Sequence, residues 1–161
     1  IFVSSISVYE DTEELPVYSE GDLPNASSSR GKGLIVAEEI ICSEKAFSTT
    51  VLRFGGLIGE GRHPVHQLSG RSGIANPKAP VNLIPLVDCI GILEEILKQE
   101  RFGEVFNAVY PDHPRKQSYY LRKAGEMQLP PPQFGSETSK GKIISSERIQ
   151  KVFNYKFKGN L

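Results

Sequence analysis

The side chains able to do chemistry fall in a few places along the chain. Ser4 and Ser5 close an opening apolar run, Ile1-Phe2-Val3, and Ser5 stands four residues before Tyr9. A hydroxyl at that point can both donate to and accept from a substrate oxygen, and a small residue there also lets a helix or a ligand come close. Arg62, His63 and His66 follow a run holding four glycines, Gly55-Gly56-Leu57-Ile58-Gly59-Glu60-Gly61. Two histidines three apart supply two metal ligands without a third, so no metal site is expected, and both also read as solvated surface groups. Arg53 reads as an ion-pair partner or a substrate contact, Asp88 as a helix cap, and Asn107 as a partner for backbone groups at a strand end. Cys42 and Cys89 each lie in an apolar stretch without a second cysteine or a histidine at ligand spacing, which predicts small buried thiols rather than a disulfide or a zinc site.

The chain has 161 residues, with 19 Lys+Arg against 19 Asp+Glu, 39% hydrophobic and 24% charged residues. That is the composition of a soluble globular domain, and it excludes disordered and fibrous classes. A net charge of zero gives no general attraction to phosphate backbones or anionic lipid, so neither nucleic acid nor membrane is an expected partner. The longest apolar runs, such as Gly33–Ala37 and Ile90–Leu93, are far too short to span a bilayer. Unpaired cysteines suit a reducing cytoplasm. The start at Ile1 has no basic leader and no cleavage site, which predicts a chain that begins inside a larger protein.

Positioning these residues calls for an α/β arrangement. Residues 1–9 read as a strand, and 10–30, with Pro16, Gly21, Pro24 and the Ser27-Ser28-Ser29 cluster, as a long loop. From Gly33 to about Lys45, Leu34, Ile35, Ala37, Ile40 and Ile41 recur at helical spacing with Glu38, Glu39 and Glu44 off that face. A second strand, 49–54, then runs into the glycine-rich loop, the order of a unit with parallel strands. Residues 62–80 read as a short helix and irregular chain outside the core. A strand over 81–84 follows, then a helix with Val87, Ile90, Leu93 and Leu97 inward, and a strand over 104–109. Pro114 opens a helix with Tyr120, Leu121, Ala124 and Met127 on its apolar face, ended by Pro130-Pro131-Pro132. A polar linker over 135–142, a small strand at Ile143-Ile144 and a short helix over 145–153 complete the chain.

Five segments in this order carry a resemblance. They are Phe2-Val3-Ser4-Ser5-Ile6-Ser7-Val8-Tyr9, Ala37-Glu38-Glu39, Leu52-Arg53-Phe54-Gly55-Gly56-Leu57-Ile58-Gly59-Glu60-Gly61-Arg62, Val81-Asn82-Leu83-Ile84-Pro85-Leu86-Val87-Asp88 and Gly103-Glu104-Val105-Phe106-Asn107. Together they resemble the C-terminal half of an extended short-chain dehydrogenase/reductase, the NAD-dependent epimerase/dehydratase family. The resemblance implies the later part of a Rossmann-type parallel sheet plus a small C-terminal substrate-binding subdomain. In it, residues 1–62 complete the dinucleotide-binding domain and 63–161 form the subdomain, with 87–109 returning to the sheet. It further implies NAD or NADP as cofactor. The Gly-rich phosphate-binding turn lies in an N-terminal half absent from this chain.

In such a family a Tyr moves the proton, a Lys four residues later holds the ribose, and a Ser or Thr bonds the substrate oxygen. Ser5 matches the Ser/Thr. The register of Ala37-Glu38-Glu39 puts Arg30 at the Tyr position and Leu34 at the Lys position. Arginine stays protonated and leucine has nothing to offer a ribose. Lys32 falls on another face, and Tyr18, in the long loop, is the remaining phenol within reach. Two places where epimerases carry Asn and His hold Gly56 and Pro85. The resemblance implies Ser4, Phe54, Gly55 and Leu57 against the cofactor, and Tyr9, Gly56, Arg62, His63 and Asn82 around a sugar-like or other small carbonyl substrate. Pairing of two copies through helix 33–45 is a further implication, and a scaffold that binds dinucleotide without catalysis is the competing reading.

Overall fold

The structure, a computed structural model, describes residues 1–161. Its central sheet has three parallel strands, β1 (Phe2–Ser5), β3 (Val51–Phe54) and β6 (Val105–Ala108), in the order β1-β3-β6. Ser5 pairs with Phe54, and Phe54 with Ala108, so the three strands end level. All four residues of β3 are buried, as a strand covered on both faces requires. β1 pairs on one side only, and Val3 is 57% exposed along it. The chain beyond β1 is not strand but a 3-10 turn, Ile6–Val8, because the Ser5 hydroxyl accepts the Ser7 N–H and turns the backbone.

The long loop is more ordered than its composition indicates. It contains β2 (Val17–Tyr18), paired in parallel with β7 (Ile143–Ile144), so residues far apart in sequence close a second small sheet. Helix α1 spans Ser29–Ser43, opening earlier than expected because the Ser28 hydroxyl caps Gly31 N–H. A Cβ at Gly31 would sit 2.5 Å from the Ser7 carbonyl oxygen, so the helix start rests directly on the 3-10 turn.

The face assigned to α1 is wrong in two respects. Glu38 is buried, because the buried Arg53 requires a counter-charge, and Ile40 is 66% exposed, because only one flank of the helix has protein against it. Cys42 is exposed for the same reason, while Cys89 is buried, with its thiol pushed up to about 11 by burial.

β4 (Gly56–Ile58) and β5 (Leu83–Pro85) form a two-stranded parallel sheet that carries the chain away from the central one. Gly55, at the departure point, has the Asn82 carbonyl 2.7 Å from where a Cβ would be. Of the four glycines in 55–61, Gly61 alone adopts positive φ, at 67°. Short helix α2 (Val65–Leu68) interrupts the irregular stretch, yet Val65 and Ala79 are core residues. Helix α3 (Leu86–Lys98) buries Cys89, Ile92 and Ile96, leaving Val87, Ile90 and Leu97 exposed. Both sets repeat at helical spacing, so periodicity alone could not choose between them.

Helix α4 (Lys116–Glu126) buries Tyr119, Tyr120 and Ala124, with Leu121 and Met127 outward. Helix α5 (Glu147–Phe153) ends on Asn154 in the left-handed region, and Phe153 packs on Phe106 of β6. The linker over 135–142 buries Ser139 and Lys142. No helix is long and apolar enough to cross a membrane.

Candidate functional site

Parallel strands place ligands at their carboxyl ends, where the loops open. There, beyond β1 and β3, lies a concavity of about 400 Å³ lined by Ser4, Ser5, Arg30, Phe54, Gly55 and Arg62, among others. Gly56, Leu57 and Ser7 also face it. The Ser5 and Ser7 hydroxyls are 3.0 Å apart, and Ser5 Oγ also accepts the Ser7 N–H. One hydroxyl proton is used between the two oxygens, which leaves the other to donate outward. Phe54 and Leu57 supply an apolar wall. Arg30 and Arg62, both exposed, supply two positive charges with no carboxylate in the lining.

Beneath this concavity runs a buried polar chain. Glu38 accepts from Ser4 Oγ at 2.5 Å, from Arg53 Nε at 3.0 Å and from Arg53 Nη2 at 2.6 Å. Arg53 Nη1 donates to the Tyr9 hydroxyl at 2.6 Å. That hydroxyl in turn donates to the Ser19 carbonyl and lies 3.3 Å from Asn107 Oδ1. Arg53 is therefore the ion-pair partner, and Tyr9 departs from expectation: it is 1% exposed and bonded inward, with its phenol raised by burial. Asn107 pairs with a side chain rather than with the backbone, and its Nδ2 has no partner. Tyr18 stacks on Tyr9 at 4.8 Å, its hydroxyl accepts from Asn25, and it does not line the concavity.

The remaining residues separate. Leu34 packs with Ile6 and Ile35 against the buried cluster around Val8 and Tyr9 and does not line the concavity. Lys32 is exposed. The Asn82 amide joins the Lys142 carbonyl and the Ile144 N–H, tying β5 to β7. Asp88 is not a cap, since Pro85 holds that position. It is buried in the first turn of α3, where it accepts from Tyr155 Oη and the N–H groups of Lys158 and Gly159.

His66 is exposed, but His63 is half-buried, with Nε2 2.9 Å from the Tyr119 hydroxyl and Nδ1 accepting the Val65 N–H. Burial holds His63 below the ordinary histidine value and raises Tyr119 to about 12. His113 is lowered by burial as well. A histidine depressed on folding binds its proton more readily unfolded, so stability rises with pH from the folded value up to about 6.5. Acidification from pH 7 to pH 5 is therefore expected to lower the urea midpoint, and His63→Gln to flatten part of that fall.

No family model matches the chain. Protein YeeZ of Escherichia coli (strain K12) is 32% identical over 159 residues, covering 98% of this chain, and the chain spans 57% of that relative's length. The solved structure of MoeE5 in complex with UDP-glucuronic acid and NAD matches with a TM-score of 0.80 and 20% identity, over 98% of this chain and 59% of that one. UDP-N-acetylglucosamine 4-epimerase from Bacillus cereus matches with a TM-score of 0.77 and 19% identity, over 98% and 60%. The fold is that of the C-terminal part of a Rossmann-type epimerase/dehydratase. Within that epimerase/dehydratase fold, β1, β3 and β6 are parallel strands of the sheet. The signals missed in the sequence are Ser7, two residues past Ser5, and Tyr119 and Tyr120, where only an apolar helix face was legible.

Proposed function

We propose that this chain forms the nicotinamide and substrate side of an NAD(P)-dependent protein of the extended short-chain dehydrogenase/reductase type, acting on a sugar-like or other small carbonyl compound. The observation that carries the reading is the concavity at the ends of β1 and β3, with a hydroxyl pair, an apolar wall and two guanidiniums. This donor set suits a dinucleotide's reactive end: Phe54 and Leu57 offer a face for a planar ring, and Arg30 and Arg62 offer charge for phosphate. When bound, such a cofactor supplies hydride acceptance or donation. Ser5 and Ser7 hold a substrate oxygen by hydrogen bonding. Arg30 stays charged, orienting rather than relaying a proton. The free edge of β1 is where a strand carrying a phosphate-binding turn would pair. Val36 and Ile40, exposed on α1, are the surface through which two copies would pair.

A second reading is a regulatory or scaffold protein that binds dinucleotide without turnover. It is favoured by Leu34, which packs inward where a ribose-binding amine would be needed. Titration of the full-length protein with NADH and NADPH, followed by a panel of carbonyl substrates, separates the two. Binding with oxidation of the cofactor supports the enzyme, binding without it supports the scaffold, and failure to bind either dinucleotide removes both.

A further inference from the structure

A second cavity, of about 310 Å³, opens on the other side of Ser7, between the 3-10 turn and α4. Ile6 and Ser7 line both spaces. Its walls carry Lys116, Lys140 and Lys142 against a single carboxylate, Asp11. Asp11 lies 3.3 Å from Lys142 Nζ, which also donates to the Tyr9 carbonyl, so those two charges offset one another. Lys116 and Lys140 form no close ion pair, although Glu137 and Asp11 favour the charged form of Lys116 and Glu10 and Glu14 feel the charge of Lys140. Lys116 spends one N–H on the Ala75 carbonyl at 2.9 Å and keeps two. Glu137, not itself a lining residue, accepts the N–H of Asn76, which is one.

A third donor makes this more than a patch of lysines. Tyr120 lines the same cavity, is 5% exposed, and its hydroxyl has no hydrogen-bond partner in the protein. The ring is buried while the hydroxyl opens to the cavity, where it is free to donate to a ligand. Burial lowers Lys116 and raises Tyr120, and an anion between them would relieve the first and use the proton of the second.

We infer that this cavity binds the anionic group, carboxylate or phosphate, of a small carbonyl substrate through Lys116, Lys140 and Tyr120, with the carbonyl directed past Ser7 toward Ser5. The inference rests on the function proposed above and names its substrate class. The volume lies at the low end of small-molecule sites, roughly 300–1,000 Å³, which suits a compact anion.

Amide shifts of the isotope-labelled protein test it, with inorganic phosphate and pyruvate as the two anionic probes and dihydroxyacetone as the neutral one. Saturable shifts confined to Asn76, Lys116, Lys140 and Gly141 with at least one anion, and none with dihydroxyacetone, support the inference. The anion that binds identifies the group. Lys116→Ala is expected to weaken that binding about tenfold and Tyr120→Phe about threefold, charge-assisted bonds being the stronger, while Lys32→Ala on the outer face of α1 leaves it unchanged. Shifts that do not saturate, that spread over surface lysines, or that survive Lys116→Ala overturn it. Because NADH binding is read at the other concavity, NADH binding without anion binding sinks this inference alone, and the reverse sinks the proposed function.

Discussion

Arg53→Met is expected to lower the free energy of unfolding by about 3–5 kcal/mol, the cost of leaving one member of a buried ion pair alone. Arg53 and Glu38 are both almost inaccessible, joined by three hydrogen bonds, and the pair anchors α1 to β3. In the variant the Glu38 carboxylate keeps only the Ser4 hydroxyl, and Tyr9 loses both the Nη1 donor and the guanidinium 5.2 Å above its ring. A double substitution, Arg53→Met with Glu38→Met, removes both charges and is expected to cost less than the single change. Urea unfolding of the four proteins gives the cycle. Equal losses in the single and double variants would mean that the pair is not what secures the helix.

Asp88→Ala is the second large effect, about 3 kcal/mol, from the loss of three hydrogen bonds to one buried carboxylate. The donors, Tyr155 Oη and the N–H groups of Lys158 and Gly159, hold residues 155–159 across the start of α3. The Tyr155 ring also lies over Gly91, where a side chain would collide with its hydroxyl. Release of this strap should appear as rapid hydrogen exchange at Lys158 and Gly159 and as proteolysis within 155–161. Retained protection at both amides would show that the aromatic contacts of Tyr155 and Phe157 suffice to hold it.

The sheet was legible in the sequence because β1, β3 and β6 are short, apolar and β-branched or aromatic, bounded by polar or glycine-rich segments. Helix faces were less so. α3 carries two apolar stripes, Cys89-Ile92-Ile96 and Val87-Ile90-Leu97, and only the position of β6 and α5 decides which is inside. Glu38 was placed outward because a carboxylate in isolation belongs in water, and its burial depends on Arg53, fifteen residues away. The pairing of β2 with β7 joins residues over a hundred positions apart and leaves no local trace. At the site, Ser5, Arg30, Phe54, Gly55 and Arg62 were found from their segments and do line one space. Tyr9 was not separable, since an aromatic after a strand looks the same whether it faces a cleft or a buried arginine.

The most direct measurement is the amide response of the isotope-labelled full-length protein to NADH. Saturable shifts at Ser5, Ser7, Gly55 and Gly56, weakened several-fold by the charge reversal Arg30→Glu, are expected if the ends of β1 and β3 receive the nicotinamide. NADH that binds while those four amides stay unmoved, or that does not bind at all, would contradict it.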